Sequence, residues 1–230
     1  MVLILIAKRD LLIVGIKRTP NTKFDDGGKK SSAISFFKSG PILVMFVFYI
    51  LVALAGSGIQ QFSTSALPVL YGVEVSDATR ALFCYMVGIS VGVLVGGIVA
   101  DRFFQFNFIA TMGYLVASFL MVLVALAWLP FWFVMSAFLI GGFMMGVVFP
   151  SRDLMVREVS PKDSTGKAFG FVNSGFGYGA MVGPLICGLI MDSGFTKGVF
   201  LMSAGIMILA IATAILAGAL TPTKANGQST

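Results

Sequence analysis

The sequence lacks the residues on which most catalytic and metal sites depend. Among its 230 residues there is no histidine, and its two cysteines, Cys84 and Cys187, do not form a Cys-x-x-Cys pair. Histidine is the commonest zinc ligand and general base, and closely spaced cysteines are the usual thiolate ligands and redox pairs. We therefore expect no metal site, no cofactor and no catalytic residues, and the composition disfavours a membrane enzyme.

Charged residues are also scarce, which indicates that most of the chain lies in lipid rather than in water. Only 11% of the residues are charged and 57% are hydrophobic. About 20 apolar residues in a helix cross the ~30 Å hydrocarbon layer of a bilayer, whereas the helices of soluble proteins carry a charged face. Six long runs reach that length with almost no charge: 42–67, 81–100, 104–127, 131–150, 168–191 and 199–220. The sequence predicts an all-α membrane protein with six transmembrane helices.

The runs divide the chain into three parts. Residues 1–40 are predicted to be a basic cytoplasmic leader and linker, 41–221 the six-span domain, and 222–230 a cytoplasmic tail. Residues 128–130, Trp-Leu-Pro, predict a tight hairpin between the third and fourth spans, because proline disfavours helix continuation and tryptophan favours the headgroup layer. Since the connections are short, we expect consecutive spans to pack as antiparallel neighbours.

Lysine and arginine are distributed unevenly between the two sides of the predicted bundle. When the loops are assigned alternately to the two sides, 14 of the 16 basic residues fall on one side, and only Arg80 and Lys197 fall on the other. Basic loops remain in the cytoplasm, so both termini are predicted to be cytoplasmic in a multi-pass protein of the cell (inner) membrane. The net charge of +6 arises from these loops. It therefore indicates a lipid bilayer rather than nucleic acid as the partner.

Two spans are distinguished by their glycines. The second and fifth spans each carry three glycines at four-residue spacing: Gly88, Gly92 and Gly96, and Gly175, Gly179 and Gly183. Residues four apart share a helix face, so each span presents a groove where another backbone can approach closely. Two interpretations are open: close packing inside this bundle, or docking of helices that this chain does not contain.

The spans offer uncharged polar residues, but none has Asp, Glu, Lys or Arg at its midpoint, so no proton-relay carboxylate can be nominated. Gln60 and Gln61 lie in the second half of the first span, and Asn173 and Ser174 lie in the fifth. Amides in lipid need hydrogen-bond partners, which either a water-filled cavity or a neighbouring helix can supply. These four residues are candidate substrate contacts, and helix-to-helix hydrogen bonding is the alternative.

Charged residues collect at the cytoplasmic ends of the second and fourth spans. The second span ends in Gly97-x-x-x-Asp101-Arg102, and the fourth is followed by residues 150–153, Pro-Ser-Arg-Asp, and by Arg157. Asp101 lies at a helix C-terminus, where the helix dipole disfavours an anion, so its carboxylate needs a cationic partner. Three arginines on the same side of the membrane are candidates: Arg102, Arg152 and Arg157.

The Gly-x-x-x-Asp-Arg pattern at the cytoplasmic end of a span resembles the signature loop of the major facilitator superfamily. The resemblance covers about residues 36–222 and is to the C-terminal six-span half of a twelve-span transporter. Residues 150–176 are similar to bacterial small-molecule and drug-efflux members. After Arg102 the sequence departs from the family pattern, because Phe-Phe-Gln at 103–105 replaces the usual small and basic continuation.

The resemblance implies transport of a small molecule by alternating access, with a second six-span half or a second copy as partner. It implies that the first span lines a central cavity, so that Gln60 or Gln61 would contact substrate, and that the two glycine-rich spans face the other half. It also implies a cytoplasmic gate formed by Gly97, Asp101, Arg102, Arg152, Asp153 and Arg157. The alternative function is a membrane module that does not itself transport but assembles with or regulates a partner membrane protein.

Overall fold

A computed structural model describes residues 40–102, 106–160 and 164–220. Within these residues the side chains of Asp101 and of 218–220 are not described. The predicted leader and tail lie outside the described residues and stay predictions. The described part of the chain is helical throughout, apart from short turns, and forms six helices.

The six helices correspond one to one with the predicted spans. They are α1 (Gly40–Tyr71), α2 (Val75–Arg102), α3 (Phe106–Leu126), α4 (Phe131–Val159), α5 (Thr165–Asp192) and α6 (Lys197–Leu220). Each contains a stretch long and apolar enough to cross a membrane. The predicted fold class, an all-α membrane protein with six transmembrane helices, is confirmed.

Several helices extend beyond the apolar runs that predict them. Helix α4 continues through Pro150 to Val159, so most of the segment predicted as a cytoplasmic connection, 151–167, is helical. The predicted connection 68–79 shrinks to residues 72–74. Loss of hydropathy marks the edge of the hydrocarbon layer, but a helix can continue into the headgroup layer because it satisfies its own backbone hydrogen bonds.

Glycines and exposed tryptophans mark the turns on the predicted non-cytoplasmic side. The α3–α4 hairpin occupies residues 127–130, as predicted, with Trp128 84% exposed and Trp132 82% exposed. Gly72, after α1, and Gly194, after α5, have φ angles of +65° and +77°. This left-handed conformation favours glycine and ends a helix sharply.

The largest helix interfaces join helices that are not consecutive in the chain. Helix α2 packs mainly on α4, and α1 packs mainly on α5 and α6. Helix α3 packs on α6 and α4. The expectation that consecutive spans would be the main neighbours is therefore wrong for most pairs, and α3–α4 is the extensive consecutive interface in the described bundle. Short loops limit where the next helix begins, but close approach depends on which faces carry small residues.

These pairings have an internal symmetry. If α1, α2 and α3 are matched with α4, α5 and α6 in that order, each large interface has a counterpart. The α1–α5 interface corresponds to α4–α2, and the α1–α6 interface corresponds to α4–α3. The α3–α6 interface corresponds to itself. Because α1 and α4 cross the membrane in opposite directions, the two triplets are related as an inverted repeat. The six helices are thus two three-helix units with the same packing plan.

The glycines of α2 explain its close contact with α4. A Cβ atom on Gly92 would collide with the carbonyl oxygen of Phe143, and one on Gly96 would lie 2.7 Å from Cα of Val147. Helix α4 contributes glycines of its own at the same crossing, Gly142 and Gly146, whose Cβ atoms would collide with the carbonyl oxygens of Tyr85 and Ile89. Glycine on both surfaces lets the two backbones touch.

The glycines of α5 serve the same purpose against α1. A Cβ atom on Gly175 would lie 2.8 Å from the carbonyl oxygen of Phe46, and Cβ atoms on Gly179 and Gly183 would collide with Ile50 and Ser57. Both glycine grooves are therefore filled by helices of this chain. The expectation that these six glycines dock helices outside the chain is wrong, and the close-packing alternative is confirmed.

Candidate functional site

Arg152 occupies the junction of three helices near the predicted cytoplasmic side. It lies on α4 seven residues before the end of that helix. Its side chain is only 11% exposed. The carbon of its guanidinium group lies 4.3 Å from the ring centre of Tyr49 on α1, 4.9 Å from that of Phe149, and 5.8 Å from that of Phe176 on α5. A cation is attracted to the face of an aromatic ring, and this attraction is stronger where water is excluded.

Asp153 connects this cation to helix α1. Its Oδ1 atom accepts a hydrogen bond from the Tyr49 hydroxyl at 2.7 Å and lies 3.3 Å from Nε of Arg152. Helices α1 and α4 otherwise make few contacts, so this pair of interactions holds together the first helices of the two triplets. The Asp153 side chain is 51% exposed, which leaves half of the carboxylate open to solvent or to a partner.

The remaining predicted gate residues do not join this cluster within the described residues. Arg157 and Arg102 are both exposed. A Cβ atom on Gly97 would meet nothing within 4 Å. The side chain of Asp101 lies outside the described part of the chain, so its pairing with an arginine stays a prediction. Among the five predicted gate residues whose side chains the structure describes, only the neighbours Arg152 and Asp153 lie in this cluster.

The candidate substrate contacts are all exposed on the bundle surface: Gln60, Gln61, Asn173 and Ser174. They form two separate pairs. In the α1–α5 interface Phe46 lies beside Phe171 and Gly175. Because Asn173 lies between these two residues in α5, it is at about the same depth in the membrane as Phe46. Gln60 follows Phe46 by 14 residues, or about 20 Å of helix. A small solute bound at one pair would not reach the other at the same time.

Other polar residues of the first span turn inward. Ser57 and Ser63 are buried, and their hydroxyls donate to carbonyl oxygens of the same helix, those of Leu54 and Ile59. Such bonds satisfy a hydroxyl without any outside partner. Of the polar residues in the second half of this span, only Gln60, Gln61 and Ser65 are exposed.

Several residues of the Arg152 cluster carry no signal in the sequence. Tyr49, Phe149 and Phe176 are aromatic residues in apolar spans, where such residues are common whatever their role. They belong to three different spans of the chain. Only the packing of α1, α4 and α5 shows that they surround one guanidinium group. The useful signal was Arg152 itself, a charged residue two positions after the end of an apolar run.

The described residues contain no group of three or more His, Cys, Asp or Glu side chains that could hold a metal ion. Cys84 and Cys187 are both free thiols. What the site combines is one shielded cation, one half-exposed carboxylate and aromatic rings at the meeting point of three helices. This arrangement can respond to a charged or aromatic solute, or to movement of one helix against another.

Comparison with known proteins agrees with the arrangement of helices. The family model described as "Major Facilitator Superfamily" matches residues 42–230. The chain is also 31% identical over 78 residues to "Multidrug resistance protein MdtG" of Serratia proteamaculans (strain 568). That alignment covers 34% of this chain and only 18% of the relative. Because the family model spans all six helices, the chain belongs to the major facilitator superfamily.

Proposed function

We propose that this chain acts as one six-helix half of a secondary transporter that moves a small molecule across the cell membrane by alternating access. Family membership indicates transmembrane transport of small molecules, and the inverted repeat of two triplets suits a half that rocks as a unit. The similarity to a multidrug resistance protein favours export of a small, largely apolar compound.

The observation that carries the proposal is the exposed side of α2 and α5. Each of these two helices buries one narrow stripe that includes its three glycines and takes up 22% of its most apolar stretch, whereas α1, α3 and α4 bury half or more of theirs. Opposite the glycines each presents an apolar stripe that the chain leaves uncovered, including Leu94, 72% exposed, and Leu185, 65% exposed. A second six-helix half, or a second copy, would cover these stripes and enclose a cavity.

Cysteine cross-linking tests this assembly in native membranes. Leu94→Cys and Leu185→Cys, in a chain whose own cysteines are replaced, should cross-link to a partner through a bifunctional maleimide. Phe119→Cys on α3 and Ile208→Cys on α6 are matched controls, since the native side chains are 60% and 58% exposed, and they should face lipid and remain uncross-linked.

Two results of this experiment are informative about the partner. A product that contains two differently tagged copies of the chain identifies a second copy, and a product that contains one copy and a different six-helix polypeptide identifies a separate half. Cross-links at Phe119 and Ile208 alone would contradict the proposed assembly, because the α2 and α5 faces would then meet lipid.

Transport itself is tested in proteoliposomes. The chain assembled with its second half should translocate at least one of a panel of small lipophilic dyes, ethidium and Hoechst 33342 among them, whereas empty liposomes should not. If a separate half is required, the chain alone should show no flux. Absence of flux for every dye from the complete assembly would favour the alternative, a membrane module that does not transport.

Within this transporter the cytoplasmic charges would form the gate. Asp153 and Arg152 already hold α1 and α4 together, and Asp101, Arg102, Arg157 and the second half would complete the set. The exposed amides Gln60 and Gln61, with Asn173 and Ser174, would contact the solute at two depths of the cavity. Both termini would lie in the cytoplasm.

A further inference from the structure

Four polar atoms in the interior of the bundle make no hydrogen bond with any described residue. They are the hydroxyls of Tyr85 and Tyr114, Oγ of Ser151 and Nη1 of Arg152. Tyr85, Tyr114 and Ser151 are completely buried, at 0% exposure. A buried polar group without a partner loses its hydration and gains nothing in return, so native structures leave few of them unsatisfied. Four such atoms in one bundle require a partner.

Three of these atoms belong to residues near the Arg152 cluster. Ser151 directly precedes Arg152 on α4. The ring centre of Tyr114 lies 6.0 Å from that of Phe48, which lies 6.1 Å from that of Tyr49, the ring next to the guanidinium group. Tyr85 is a separate buried hydroxyl on α2, with its ring centre 6.0 Å from that of Phe138.

The chemistry of these four groups selects their ligand. They are one cation, already paired with Asp153 through Nε, and three neutral hydroxyls that can each both donate and accept. A metal ion would be repelled by the guanidinium group, and a multivalent anion would find only one cation. Water fits, since one molecule donates and accepts two to four hydrogen bonds and is the usual partner of isolated buried polar groups.

We propose that the interior of this half contains bound water beside Tyr114, Ser151 and Arg152, and separately beside the buried hydroxyl of Tyr85. The waters hydrate the free edge of the guanidinium group and satisfy the tyrosine hydroxyls. They also give the charged cluster a polar environment inside the bundle that does not depend on the cavity between halves. The proposal does not rest on the proposed transport function.

Removal of single hydroxyls from the purified full chain tests the site. If the Tyr114 hydroxyl binds water, Tyr114→Phe should lower the Tm by roughly 2–4 °C, the effect of one lost hydrogen bond in a chain of this size. Tyr71→Phe is the reference, because the Tyr71 hydroxyl donates to the carbonyl oxygen of Val124 at 2.8 Å. An unchanged or raised Tm for Tyr114→Phe, beside a lowered Tm for Tyr71→Phe, would overturn the proposal.

Hydroxyl-radical footprinting provides a second measurement that needs no substitution. Radicals generated by X-rays from bound water label adjacent side chains even in a protein interior. Two aromatic controls without a hydroxyl lie beside the tyrosines: the ring centre of Phe138 is 6.0 Å from that of Tyr85, and the ring centre of Phe48 is 6.0 Å from that of Tyr114. All four side chains are completely buried.

The expected result is labelling of Tyr85 and Tyr114 several-fold above that of Phe138 and Phe48. Equal, low labelling of all four rings would overturn the proposal whatever the Tm values, because it would show that no water lies beside the tyrosines.

Discussion

Gly92→Val should prevent α2 from packing on α4 and should reduce the yield of folded protein sharply. The first side-chain atom at this position would collide with the carbonyl oxygen of Phe143, which is backbone and cannot rotate away. The two helices would have to separate along a crossing where Gly92 and Gly146 now touch, and every other contact of this interface would loosen. We expect a loss of at least about 3 kcal/mol, the upper part of the usual range for overpacking.

Gly97→Val is the matched control on the same helix. A Cβ atom there would meet nothing within 4 Å. Both variants place the same β-branched residue in α2, so the effect of valine on helix propensity cancels in the comparison. Size-exclusion profiles and Tm values in detergent should be near normal for Gly97→Val and strongly perturbed for Gly92→Val. Similar Tm values for the two variants would show that the α2–α4 crossing is not as close as described.

Arg152→Leu should destabilise the junction of α1, α4 and α5. Leucine retains much of the apolar stem but removes the cation that lies over Tyr49, Phe149 and Phe176, and it leaves Asp153 with only the Tyr49 hydroxyl. Cation–π interactions contribute about 0.5–2 kcal/mol each according to their exposure. Because Asp153 is half exposed, its unpaired charge is partly hydrated. We expect a loss of about 2–3 kcal/mol, or roughly 5–10 °C in Tm.

Arg157→Leu is the control for charge and helix. Arg157 lies on α4 five residues after Arg152, and its side chain is exposed. Its replacement removes the same formal charge without disturbing an aromatic cluster, and the Tm should change by less than about 1 °C, as for most exposed positions. Equal changes in Tm for Arg152→Leu and Arg157→Leu would mean that the loss of a basic charge, rather than the cluster, is responsible.

The number and approximate positions of the spans could be predicted from the sequence because the lipid bilayer imposes a simple rule. Each crossing needs about 20 apolar residues, and all six runs met that length. The turn at Trp128 could be predicted for a similar reason, since proline and tryptophan have strong preferences at the headgroup layer. These features depend on local composition and on the solvent, and neither requires a tertiary contact.

Helix ends and helix pairing could not be predicted in this way. Hydropathy falls at Ser151, but α4 continues to Val159 because a helix remains a good conformation for polar residues outside the hydrocarbon layer. The glycines of α2 and α5 signalled that a backbone would approach, but not which one. Their partners, α4 and α1, belong to this chain, and α4 brought Gly142 and Gly146, which the spacing argument had not singled out.

Only the two charged residues of the Arg152 cluster could be singled out from the sequence. Arg152 and Asp153 were singled out by their charge; they are consecutive in the chain, and their role in a gate stays a prediction. Tyr49 lies 104 residues from Asp153 and donates its hydroxyl to that carboxylate, a pairing that no local pattern indicates. The sequence also contains no sign that the hydroxyls of Tyr85 and Tyr114 lack a partner. A tyrosine in an apolar span looks the same in the sequence whether or not its hydroxyl forms a hydrogen bond.

By itself, the sequence determined that the chain lies in a lipid bilayer, how many spans it has and which family it resembles. These follow from composition, from apolar length and from a short charged motif, and each is a local property. Only the tertiary structure decided that the glycine grooves are filled from within, that one arginine lies among three aromatic rings, and which apolar stripes remain uncovered. The reason is that these features depend on which helix faces meet, and in a nearly uniform apolar sequence that choice is made by small differences in shape rather than by hydrophobicity.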